Sequence, residues 1–77
     1  MIVLDITRNV CEKHGVSLFE LMGSSRRNKV VEARVDLVVR LKDKGYSYPE
    51  IGVMLGGRDH TTIMSLHKKG SKKLSTG

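Results

Sequence analysis

Apolar residues recur with a helical period along most of this chain, and polar or glycine-bearing breaks divide them into five segments. Val3, Ile6 and Val10, with Ile2 and Cys11 widening the stripe, predict an amphipathic helix that Gly15 stops. Ser17 and Glu20 stand at the capping-box separation, so a short second helix carrying Leu18, Phe19, Leu21 and Met22 starts there and packs on the first. Gly23-Ser24-Ser25-Arg26-Arg27-Asn28-Lys29 has no apolar period and predicts an exposed basic loop. From Val30 to Lys44, Val31, Val35, Val38 and Val39, flanked by Val30, Leu37 and Leu41, describe a wide helical stripe. Its valines favour strands, but the run is long, does not alternate strictly, and leaves through Lys42-Asp43-Lys44-Gly45, a helix exit.

Ser47-Tyr48-Pro49-Glu50 combines a capping serine, a proline in the first turn and a glutamate three residues after the cap, so a helix starts there. Ile51 and Leu55 face inward, and Gly56-Gly57 stops the helix within about two turns. Asp59 caps a last helix over His60 to Lys69, with Ile63 and Leu66 facing the core and Gly70 as its stop. Residues 1–70 are then one domain and residues 71–77 a disordered basic tail. The expected fold is all-α: a small helical bundle whose last two helices, joined by a tight glycine turn, form a helix-turn-helix. In that unit the second helix enters the major groove of DNA.

Composition narrows the function. A chain of 77 residues buries one modest core, which leaves no room for a large catalytic cleft. Phe19, Tyr46 and Tyr48 are the only aromatic rings, too few for a base-stacking platform on single strands. Arg8 and Lys13 against Asp5, Glu12 and Glu20 leave residues 1–22 at −1, whereas twelve Lys/Arg against five acids put +7 on the remainder. That asymmetry points to a polyanionic partner. Cys11 is the only cysteine, which rules out an internal disulfide and a multi-cysteine zinc site, and His14, His60 and His67 lack metal-ligand spacing. No metal or cofactor is expected. Asp59-His60 cannot by itself assemble a nucleophile, base and orienting group, so no catalytic role is expected. Asp5 interrupts the apolar N-terminal run, and no apolar stretch reaches the ~18 residues of a membrane span. The expected location is cytoplasmic and nucleoid-associated.

The segment Ser47 to Thr62, S-Y-P-E-I-G-V-M-L-G-G-R-D-H-T-T, closely resembles the C-terminal DNA-binding domain of the bacterial chromosomal replication initiator DnaA. The G-G-R-D-H-T-T run carries most of the likeness, and the earlier segments follow the family's order more weakly. The resemblance implies a Trp-repressor-like helical fold. It also implies base contacts from Asp59, His60 and Thr61, Thr62 near phosphate, Arg26 in the adjoining minor groove, and Arg34 and Lys42 on phosphates. Glu32 and Ala33 stand where the family places an arginine and a proline, and one residue is missing around Lys44 to Tyr46. No G-x-x-x-x-G-K-[ST] loop occurs, so the likeness is to the DNA-binding domain standing alone, with no nucleotide bound.

The residue chemistry suits these roles. Aspartate accepts from cytosine N4, histidine donates to or accepts from a base edge, and a threonine methyl meets the thymine methyl. All three stand at the start of a helix, where side chains reach furthest into a groove. The positive helix end favours a phosphate near Thr62 and Arg58. A loop arginine suits a narrow A·T-rich minor groove, with Arg26 in that role and Arg27 on phosphate. Lys68, in the run Lys68, Lys69, Lys72 and Lys73, adds a phosphate contact. The expectation is sequence-specific double-stranded DNA binding as a monomer, at DnaA-box-like sites, in replication control or transcription regulation. Two rivals stand beside it: a decoy that keeps the fold but binds an initiator or polymerase component, and nonspecific coating of the nucleoid.

Overall fold

A computed structural model describes the backbone of residues 2–76 and the side chains of residues 3–70. Within it the chain forms five helices: α1 (Ile2–His14), α2 (Leu18–Met22), α3 (Asn28–Asp43), α4 (Tyr48–Met54) and α5 (His60–Thr76). No strand occurs among the described residues. The fold is all-α, as the periodicity predicts. α3 is the central element and packs against each of the other four, while α4 packs on α5.

Local sequence explains the helix ends. Both predicted capping boxes form: the Glu20 N–H donates to Ser17 Oγ at 3.1 Å, and the Glu50 N–H to Ser47 Oγ at 3.3 Å. Each glutamate in turn accepts the backbone N–H of its serine. At the exit of α1, Gly15 takes φ 64° and the Val16 N–H reaches back to the Cys11 carbonyl at 3.0 Å. α3 ends the same way, with Gly45 at φ 101° and the Tyr46 N–H on the Leu41 carbonyl at 3.2 Å. A glycine in the left-handed region lets the chain turn back while the last carbonyls stay paired.

The core consists of Val10, Val16, Leu21, Val30, Ala33, Leu37, Val38, Leu41, Ile51, Leu55 and Ile63. Three expectations are corrected here. The buried face of α3 runs through Val30, Ala33, Leu37, Val38 and Leu41, whereas Val31, Val35 and Val39 are only partly buried. The predicted stripe was thus turned toward the valines, three of which lie beside the enclosed face, and away from Ala33. Gly70 does not stop α5, which continues to Thr76. A Cβ at Gly70 would collide with Val39 Cγ2 and come within 2.9 Å of Val35 Cγ1. The glycine is there for the close approach of α5 to α3, and it lies on the helix rather than beyond its end. α3 also begins at Asn28, two residues earlier than predicted, which shortens the basic loop to Gly23–Arg27.

Candidate nucleic-acid interface

α4 and α5 form the helix-turn-helix, and the turn between them is built on close contact. Gly56 and Gly57 take φ 83° and 82°, and the N–H groups of Gly57 and Arg58 both donate to the Gly52 carbonyl, at 2.9 and 2.8 Å. Gly52 is fully enclosed by this arrangement: a Cβ there would overlap the Arg58 carbonyl oxygen. The Asp59 carbonyl accepts the N–H groups of Thr62 at 3.1 Å and Ile63 at 3.3 Å, which opens α5 at His60. Ile63 is fully buried and anchors this turn of the helix. Asp59, His60, Thr61 and Thr62 all remain exposed.

These exposed groups organise one another. Thr61 Oγ1 donates to Asp59 Oδ2 at 2.8 Å, and His60 Nδ1 lies 3.2 Å from Asp59 Oδ1. The Thr61 hydroxyl, aided by His60 and by the backbone N–H groups of His60 and Thr61, holds the Asp59 carboxyl below the usual carboxylate range. An acceptor is therefore fixed in its charged form at the outward tip of α5.

The other predicted residues divide into two groups. Arg26 and Arg27 are exposed on the Gly23–Arg27 loop, with Arg27 Nη1 3.4 Å from Glu20 Oε2. Lys68 is exposed on α5, and Lys42 is half-buried with its ammonium 4.3 Å above the Tyr48 ring. Arg34 is the contrast: it is 6% exposed. Its Nε donates to the Leu21 carbonyl at 2.9 Å, Nη1 to Ser25 at 2.6 Å, and Nη2 to Glu20 at 2.9 Å and Gly23 at 2.6 Å. Four of its five N–H donors are thus committed to backbone carbonyls. The expectation that Arg34 touches phosphate gives way to an interior role. Burial, and after it the charge of Arg58, pulls its pKa down from the usual arginine value.

Arg58 is also turned inward in part: Nη1 donates to the Leu55 and Met22 carbonyls and Nη2 to Gly23. Since Arg58 immediately precedes Asp59, and Gly23 stands three residues before Arg26, the start of α5 and the basic loop lie side by side. Sequence reading missed the interior use of both arginines. One signal was available for Arg34: it falls within the stripe Val30–Ala33–Leu37–Leu41 once that stripe is drawn correctly. Also missed was the pairing of Tyr48 Oη with His67 Nδ1 at 3.1 Å, nineteen residues apart, beside a shallow groove that includes Thr61, Met64, Ser65 and Lys68. No periodicity reports such a contact.

Among the described residues, no group of three or more His, Cys, Asp or Glu is placed to hold a metal ion. No helix among them is long and apolar enough to cross a membrane.

Residues 3–69 match the family model described as the bacterial dnaA protein helix-turn-helix. The chain is similar to chromosomal replication initiator proteins DnaA from several bacteria. With that of Thermomicrobium roseum it shares 46% identity over 56 residues, 71% of this chain and 12% of the relative. With that of Leifsonia xyli subsp. xyli it shares 39% over 69 residues, 88% and 15%. With that of Herpetosiphon aurantiacus it shares 36% over 73 residues, 94% and 16%. The chain therefore spans about a sixth or less of the length of these relatives. No solved structure matches it. A family model that covers nearly the whole chain, on a fold with the helix-turn-helix in the matching place, makes the chain a member of the bacterial DnaA helix-turn-helix family.

Proposed function

We propose that this chain binds double-stranded DNA with sequence preference, at DnaA-box-like sites, in the control of replication or transcription. One observation carries the reading: an exposed Asp59-His60-Thr61-Thr62 helix start stands beside an exposed arginine loop, on the basic part of the chain. The family and the replication-initiator names of the relatives support it. Asp59, His60 and Thr61 meet base edges in the major groove, and Arg26 enters the adjoining minor groove. Thr62, Arg27, Lys42 and Lys68 contact phosphates and set the register on the duplex. Buried Arg34 and half-buried Arg58 serve through the backbone carbonyls they hold.

The test is a titration against a box-containing duplex and a scrambled duplex at physiological salt. The expected result is tighter binding to the box; equal affinities remove the specificity. His60→Ala and Thr61→Ala each cost about 1 to 3 kcal/mol on the box duplex alone, while Lys42→Ala weakens both duplexes alike and lowers the salt slope by about one. A uniform loss from all three variants would instead favour nonspecific coating.

A further inference from the structure

The carbonyl of Gly23 accepts hydrogen bonds from two different arginines. Arg34 Nη2 reaches it at 2.6 Å from the middle of α3, and Arg58 Nη2 reaches it from the turn just before the last helix. Around this shared acceptor, Arg34 also takes the carbonyls of Glu20, Leu21 and Ser25, and Arg58 takes that of Met22 at 3.4 Å. The C-terminal end of α2 exposes its last carbonyls and the negative end of its dipole, and two guanidinium groups fill that place. Gly56 makes the approach feasible: a Cβ there would already stand 3.0 Å from the Met22 carbonyl oxygen. Gly56 and Arg58 of the motif thus approach Met22 and Gly23, where the basic loop starts, whereas the D-H-T-T part is turned toward solvent.

A free loop of Gly, Ser and Arg would have to be ordered at the moment of binding, which subtracts from affinity. This loop is already tied at Gly23 and Ser25, the residues flanking Ser24 and leading directly into Arg26. We infer that Arg58 and Arg34 are positioning residues: through the Gly23 carbonyl they fix the minor-groove loop at a set distance from the start of α5, so that the two grooves are read as one unit. Arg58, half-buried beneath the loop's start, acts on specificity through Arg26. The inference rests on the proposed DNA-binding reading.

The decisive experiment is a double-mutant cycle in the full chain on the box-containing duplex. Arg26→Ala is expected to lower affinity about tenfold in the wild-type background. In an Arg58→Gln background the same change should cost no more than about threefold, because the loop, still held by Arg34, is no longer fixed relative to the start of α5. The His60→Ala penalty should persist in both backgrounds, and Arg58→Lys, which keeps one donor for Gly23, should restore part of the Arg26 effect. A role limited to global stability would leave the Arg26 factor unchanged in Arg58→Gln, and that result overturns the inference. Backbone relaxation of the DNA-free wild-type protein needs no variant to fold: Ser24 to Arg27 should show order parameters near the ~0.85 of rigid backbone, and values below about 0.6 overturn it too. If Arg26→Ala and His60→Ala both leave wild-type binding unchanged while the loop is ordered, the DNA-binding reading itself has failed, and the inference with it.

Discussion

The loop Gly23–Arg27 and the turn Leu55–Asp59 are each five residues long, and each presents a group proposed to meet DNA, yet they are held by opposite means. The turn is held from within, by N–H groups of Gly57 and Arg58 on the Gly52 carbonyl and by two glycines with positive φ. The loop is held from outside, by the side chains of Arg34 and Arg58, which lie 9 to 35 residues away in sequence from the loop carbonyls they bind. Turn order is a local property of the chain, whereas loop order exists only once α3 and the helix-turn-helix have docked. Damage to the turn should therefore be felt where it occurs, and damage to the loop should be producible from a distance.

Arg34→Ala is the strongest test of that difference. It removes four donors at once from the carbonyls of Glu20, Leu21, Gly23 and Ser25 and empties a buried position. A loss of about 2 to 4 kcal/mol in unfolding free energy is expected by urea denaturation. A variant within about 0.5 kcal/mol of wild type would mean that water replaces the guanidinium at no cost, and the loop would then not depend on it. Gly52→Ala is the corresponding change in the turn. Its Cβ would overlap the Arg58 carbonyl oxygen, which is backbone and cannot swing aside. About 1 to 3 kcal/mol is expected, the range for forcing extra atoms into a filled space. Amide exchange should then rise around Gly57 to His60 while the backbone order parameters of Ser24 to Arg27, whose Gly23 and Ser25 carbonyls Arg34 still holds, stay unchanged, and equal loosening of both segments would erase the contrast.

The two regions were not equally legible in the sequence. The turn announced itself through Gly56-Gly57 and Asp59, and both capping boxes could be read from serine and glutamate three residues apart. Such signals survive because their partners are neighbours. The exposed state of Asp59 to Thr62 followed from the same local reading, since Ile63 and Leu66 account for the inward face. The loop read as exposed and basic, because nothing within Gly23 to Arg27 reveals the guanidinium groups that arrive from elsewhere. Arg34 was assigned to phosphate by the family resemblance alone, and nothing in the stripe as it was drawn argued against it. A charged residue on a valine-rich helix looks like a surface cation until the carbonyls of a second helix end are brought against it. Gly70 misled in the other direction: a glycine near a chain end reads as a stop, and only the position of Val35 and Val39 identifies it as a contact between helices.

A third site, remote from both segments, separates stability from reading. Asp36 on α3 accepts from His14 Nε2 and Arg40 Nε, each at 2.9 Å, with Lys13 Nζ at 3.5 Å. Burial by itself would raise its pKa, but hydrogen bonds from His14 and Arg40 and the charges of Arg40 and Lys13 outweigh it and hold the carboxyl below its ordinary value. A carboxyl lowered in the native state stabilises the fold at pH values above its unfolded pKa, and that contribution disappears as pH falls through the native one. Asp36→Asn should thus cost about 1 kcal/mol at neutral pH, a modest figure because the cluster is partly hydrated. Its stability should converge on wild type in acid, below the ordinary aspartate range. None of the residues that tie the loop to the turn belongs to this cluster, so the ratio of box to scrambled affinity should stay unchanged while the unfolding midpoint drops. A parallel fall in that ratio would show that selectivity follows global stability, and the separate attachment of the loop through Gly23 would then carry no special weight.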